Sequence, residues 1–145
     1  MINGHVNYIA VLVAAIASMG IGFAWFSKSL FGNLWMKIIG QDGLDKLAVE
    51  QMQKAVKPYF IVTFLATLIT SAVLARIIVW LGLTSTGGGI STGFWIWLGF
   101  ALPYAFTDAV FSGKDKSRMW PLFLIQAGYR FVNLLIAGAI LGTWQ

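Results

Sequence analysis

Apolar residues in this chain come in long runs instead of alternating with polar ones. Four runs stand out, at about 6–26, 59–83, 93–111 and 120–141. About 20 residues at a ~1.5 Å rise cross a hydrocarbon core of ~30 Å, and each run is roughly that long. A membrane barrel needs period-two alternation, which is missing here. The pattern therefore predicts an all-α transmembrane four-helix bundle forming a single domain over residues 1–145.

The connecting segments carry patterns of their own. Leu30, Phe31, Leu34, Trp35, Ile38 and Ile39 recur at helical spacing, with Lys37 on the other side. That spacing predicts an amphipathic helix lying in the interface, or an extension of the first span. Gly40 ends it. Asp42 reads as the N-cap of a second short helix with Leu44, Leu47, Ala48, Met52 and Ala55 on its apolar face, and Pro58 reads as the start of the second span. Gly87-Gly88-Gly89 reads as a flexible turn. Pro103 predicts a bend in the third span, because proline donates no N–H and crowds the carbonyl of Gly99. Along the first span Ala10, Ala14, Ser18 and Gly22 recur every four residues. Such a small-residue face lets backbones approach, either another span or a second copy in a homo-oligomer. Two pieces also recur in order: Phe26–Phe31 lines up with Phe106–Phe111, and Pro58–Thr63 with Pro121–Gln126. Two parallel helix-hairpin repeats would produce that order.

Composition agrees with a lipid environment. Charged residues are 10% of the chain, against ~25% in a soluble domain, too few to coat a water-facing surface. The basic residues are not spread evenly. Lys28, Lys37, Lys46, Lys54 and Lys57 fall in the first loop and Lys114, Lys116 and Arg118 in the third. The N-terminal tail, the second loop and the C-terminal tail hold none. The bias predicts a multi-pass inner-membrane protein with loops one and three cytoplasmic and both termini outside. The partner it implies is the bilayer with its anionic headgroups, not nucleic acid. Trp80, Trp95, Trp97, Trp120 and Trp144 fall near predicted span ends and read as interfacial anchors.

Candidate chemistry is sparse. There is no cysteine and one histidine, His5, and the acidic residues are scattered over the loops. No metal site, cofactor signature or catalytic constellation is predicted. The ionisable groups inside the runs are more informative, since a charge at bilayer depth usually faces protein or water. Arg76 is close enough to a span end to snorkel. Arg130 lies about ten residues into the fourth run, with Gln126 and Asn133 on the same helical face. Asp108, on the third span, is the expected partner, because the two side chains lean toward each other from antiparallel helices. Thr63, Thr67, Thr70 and Ser71 form a second polar stripe on the second span. It reads as interhelical hydrogen bonding or as the wall of a hydrated path.

Several motifs together resemble a known family. Gly22-Phe23-Ala24-Trp25-Phe26-Ser27, Leu30-Phe31-Gly32 and Trp35-Met36 are similar to the region around the first span of the small bacterial membrane proteins grouped as domain of unknown function 1761. Trp97-Leu98-Gly99-Phe100 with Pro103 is similar to their third span. Phe123-Leu124-Ile125, Gly128-Tyr129 and Gly138-Ala139-Ile140-Leu141-Gly142 are similar to their fourth. The chain departs from the family pattern at Gln126 and Arg130. The resemblance implies a four-span fold and no assigned activity.

Three functions fit these readings. The first is a small oligomeric transport or channel subunit with the polar stripes as its path. The second is a non-catalytic membrane protein that binds or stabilises a partner through its first cytoplasmic loop. The third, a lipid-acting enzyme, has the least behind it, since no nucleophile or general base is evident.

Overall fold

A computed structural model describes residues 4–145, and the described residues are helical with no strand. The elements are α1 (Tyr8–Trp25), α2 (Gly32–Ile38), α3 (Lys46–Trp80), α4 (Thr86–Ile96), a π-helical segment (Trp97–Ala101), α5 (Leu102–Val110) and α6 (Lys116–Thr143). Three of them, α1, α3 and α6, are long and apolar enough to cross a membrane.

Polar caps fix where the helices start. Asn7 accepts from the amides of Ile9 and Ala10 and opens α1. Asp45, not Asp42, opens α3 by accepting from the Ala48 amide at 2.8 Å. The second short helix expected in the first loop is therefore the beginning of α3. That helix runs through Pro58 for 35 residues, about 50 Å at helical rise. The carbonyl that Pro58 deprives of a partner belongs to Lys54, on an exposed turn, so the break strands nothing in a core. Gly40 closes α2 with φ +75°, a left-handed conformation that glycine adopts without strain.

Gly87-Gly88-Gly89 is not a turn. Ser85 accepts from the Gly88 amide at 3.1 Å and starts α4 two residues before the first of these glycines. Isolated glycine is a poor helix former, by ~1 kcal/mol against alanine. Packing against α6 overrides that preference. A Cβ at Gly89 would overlap the Gly138 carbonyl, one at Gly93 the Leu134 carbonyl, and one at Gly142 the Ser85 carbonyl. Two glycine pairs four residues apart, Gly89 with Gly93 and Gly138 with Gly142, thus bring two backbones together.

From α4 the chain passes into the π segment and α5 without leaving helical geometry. The Leu102 amide reaches five residues back, to the Trp97 carbonyl. This widened turn precedes Pro103, where a regular helix would press the proline ring onto Gly99. Where the sequence predicts a bend, the structure has a π turn just before Pro103. Thr107 donates to the Pro103 carbonyl at 3.0 Å, an ordinary back-bond, not a rescue of the carbonyl the proline frees.

Two cores lie at opposite ends. At the end where α1 begins and α6 stops, Val6, just ahead of α1, packs with Ala10, Ala14, Leu74, Ile78 and Leu141 of α1, α3 and α6. At the other end, where all eight loop cations lie, Ile38 of α2 packs with Ala109, Leu122 and Ile125. The amphipathic helix of the first loop is thus folded onto α5 and α6. The first half of α3, from Lys46 to about residue 66, joins neither core and is mostly exposed.

Candidate functional site: a polar cleft between α3 and α6

The site is built on α6, and two tryptophans hold that helix in place. Trp25, at the end of α1, donates its Nε1–H to the Ile125 carbonyl at 3.2 Å. Trp97, in the π segment, donates to the Ala127 carbonyl at 2.9 Å. Gly128 accommodates this grip, since a Cβ there would come within 3.0 Å of the Trp25 ring. Trp97 is half-buried and bonded to α6, so it is a clamp and not the interfacial anchor its position suggested. Trp80, Trp95, Trp120 and Trp144 are exposed.

One turn further along α6 come Tyr129, Arg130 and Asn133. Asn133 donates from Nδ2 to the Tyr129 oxygen at 3.3 Å, while its Oδ1 is buried without a hydrogen-bond partner. The Tyr129 ring packs on Phe26, with centroids 5.5 Å apart. Its hydroxyl approaches α1 where Gly22 leaves room: a Cβ on Gly22 would sit 3.2 Å from it.

These three residues line a cleft of about 520 Å³ whose opposite wall is α3. Thr63, Thr67, Thr70 and Ser71, the second polar stripe, supply that wall, and Ser18 of α1 and Tyr104 of α5 close parts of it. The two polar groups, about sixty residues apart in sequence, therefore face each other across one space. The threonines do not bond to another helix. Thr63, Thr67 and Thr70 each donate to the carbonyl four residues back, at 2.8, 2.8 and 3.0 Å. Their hydrogens are used by their own helix, so they offer acceptor lone pairs to the cleft. The donors come from α6: the Arg130 guanidinium, the Asn133 amide and the Tyr129 hydroxyl.

Two expected members of the Arg130 group are elsewhere. Asp108 is exposed and does not line the cleft. The inward positions of α5 belong to Ala105 and Ala109, both fully buried, and Asp108 lies one residue, ~100° of helical turn, from the second. Gln126 is half-buried outside the cleft, its Oε1 without a partner. Among the described residues no carboxylate lines the cleft.

The small-residue face of α1 is turned inward. Ala10, Ala14 and Ser18 are buried, Ala10 and Ala14 in the core shared with α3 and α6, and Gly22 faces Tyr129. Beyond Tyr129 the cleft meets a second hollow of about 590 Å³ between α1 and α3. Thr63 and Tyr129 line both. The second hollow is walled by Met19, Phe23, Phe26, Val56 and Phe60, with Gln53 and Lys57 toward the basic loops.

Residues that carried the sequence resemblance meet here: Gly22 with Tyr129, Trp25 with Gly128, Phe26 with Tyr129. A family model described as "Protein of unknown function (DUF1761)" matches residues 9–142. The chain belongs to the DUF1761 family. No curated protein and no solved structure matches it. In this DUF1761 chain the match takes in every residue of the cleft and of both glycine pairs. Sequence reasoning missed Tyr129 and the two tryptophan clamps as parts of the site. It also missed the glycine pairs, whose four-residue spacing was a usable signal.

Proposed function

We propose that the chain is a four-span inner-membrane protein, a small transport subunit whose cleft around Arg130 receives an anionic or hydrogen-bonding ligand. In this reading the fourth span is the continuous helical rod over residues 86–110, ~37 Å at helical rise, long enough to cross a bilayer core. Both termini lie outside, a reading supported by eight loop lysines and arginines gathered at the opposite end. The observation that carries the function is the cleft itself: one cation and two neutral donors facing a row of acceptors, with no carboxylate on the walls. A guanidinium at that depth is costly in bare lipid and is commonly retained for a pathway or an anion. The enzyme reading has the least behind it, since no nucleophile or general base is evident and Asp108 does not line the cleft.

The absence of cysteine makes the test clean. A Thr70→Cys variant in membrane vesicles reports on the cleft through its reaction with small anionic and cationic thiosulfonate reagents. The anionic reagent is expected to react faster relative to the cationic one. Arg130→Gln is expected to lower that ratio about tenfold, as the loss of one nearby charge in a partly screened site implies. A ratio unmoved by Arg130→Gln contradicts the proposal. Partner binding through the first cytoplasmic loop is the second reading, favoured by the exposed apolar residues Leu44, Leu47 and Val56.

A further inference from the structure

The cleft and the hollow beside it differ in chemistry and share two residues. The cleft is polar at its α6 wall. Half of the residues that wall the hollow are methionine, valine and phenylalanine, with Gln53 and Lys57 toward the basic loops, and it is flanked by the exposed half of α3. Tyr129 stands where they meet. Its ring belongs to the apolar side, against Phe26. Its oxygen belongs to the polar side, where it already accepts from Asn133. A phenol that accepts one hydrogen bond still has its own hydrogen to give. That hydrogen, the Arg130 guanidinium and the second Asn133 amide hydrogen suit an anionic oxygen group. The apolar wall of the hollow includes Phe23 and Phe60, which lie edge to face at 5.5 Å.

We propose that the two spaces form one site for a single-chain anionic amphiphile, its charged head at Arg130, Tyr129 and Asn133 and its alkyl chain along Phe23, Phe26 and Phe60. This rests on the cleft being a ligand site and names the ligand class. Charge complementarity fixes the head, and the apolar walls fix the tail. The ligand reaches the site sideways from the bilayer, past the exposed first half of α3. Lys57, toward the basic loops, is the first cation such a head meets. A long-chain carboxylate and a monoacyl phosphate share this chemistry.

Saturable binding of radiolabelled decanoate to the purified full chain in detergent tests the proposal, with butyrate and decanyl phosphate as competitors. Decanoate is expected to bind at least about tenfold tighter than butyrate, because burying the additional methylenes is favourable. Decanyl phosphate competing tighter than decanoate assigns the head as a phosphate, and the reverse assigns it as a carboxylate. Arg130→Gln is expected to weaken decanoate about tenfold or more. Gly22→Leu, which fills the neck beside Tyr129, is expected to abolish decanoate binding. Phe60→Asn, at an exposed position, is expected to weaken decanoate severalfold and leave butyrate unchanged. If butyrate binds as tightly as decanoate and both depend on Arg130, the cleft is a site for small anions and the amphiphile is overturned. If decanoate ignores Phe60→Asn, the hollow does not hold the chain and the amphiphile is again overturned. If decanoate ignores Arg130→Gln, the cleft reading itself falls.

Discussion

α6 meets two neighbours in opposite ways. Against α4 it is pressed so close that glycine Cα atoms and carbonyls touch where side chains would otherwise stand. Against the middle of α3, from Thr63 to Ser71, it is separated by a cleft lined with hydroxyls, an amide and a guanidinium. Apolar surface does not explain the difference, since all of these helices are rich in it and lipid offers them an equally apolar environment. What distinguishes the seam is the absence of side chains, which lets dispersion and close backbone approach act. What distinguishes the opening is polar groups that lipid cannot satisfy and that a ligand or water can. One helix therefore anchors the fold on one side and presents the site on the other.

Breaking the seam should have the largest effect. Gly138→Leu places a branched side chain against the backbone of Gly89, which has no rotamer with which to yield. A loss at or beyond the upper end of the ~1–3 kcal/mol typical of overpacking is expected, read as a lower midpoint of unfolding in detergent. An unchanged midpoint would mean that α4 and α6 are not in register. Trp97→Phe comes next. It removes the bond to the Ala127 carbonyl while keeping an aromatic ring, and should cost about 1 kcal/mol. Gly22→Leu should cost less than Gly138→Leu, because the added atoms meet the far end of the Tyr129 side chain and not a backbone. A larger loss than at Gly138 would place the tight seam on α1 instead. Thr67→Val should change stability least, by about 0.6 kcal/mol or less, since its hydroxyl bonds within its own helix. A loss above 1 kcal/mol there would show that the stripe holds helices together.

The sequence made some of this legible and hid the rest for physical reasons. Long apolar runs announced the helices, and Ala10, Ala14 and Ser18 announced the buried face of α1, because four-residue spacing of small residues has one structural meaning. The polar stripes were legible as residues. That Arg130 and Thr70 face one space was not, since it depends on which helices are neighbours. Asp108 looked suitable for Arg130 by depth and tilt, yet Ala105 and Ala109 hold the inward face of α5. Gly87-Gly88-Gly89 read as a turn because local propensity was weighed without the partner glycines on α6. Asp42 and Asp45 are equally good caps in sequence, and the amide of Ala48 decides for the second.

Water access on the two sides of the bundle tests the contrast most directly. Thr92 lies in α4 beside the seam, about six residues from the start of its helix, and is 6% exposed. Thr70 lies deeper, about ten residues from the end of α3, and lines the cleft. Single cysteines at the two positions can be challenged in intact membranes with a membrane-impermeant thiol reagent. Thr70→Cys is expected to react and Thr92→Cys to be protected, although Thr92 is the shallower of the two. Protection at Thr70 equal to that at Thr92, or reaction at Thr92 alone, would contradict a molecule that is sealed at its glycine seam and open at its polar cleft.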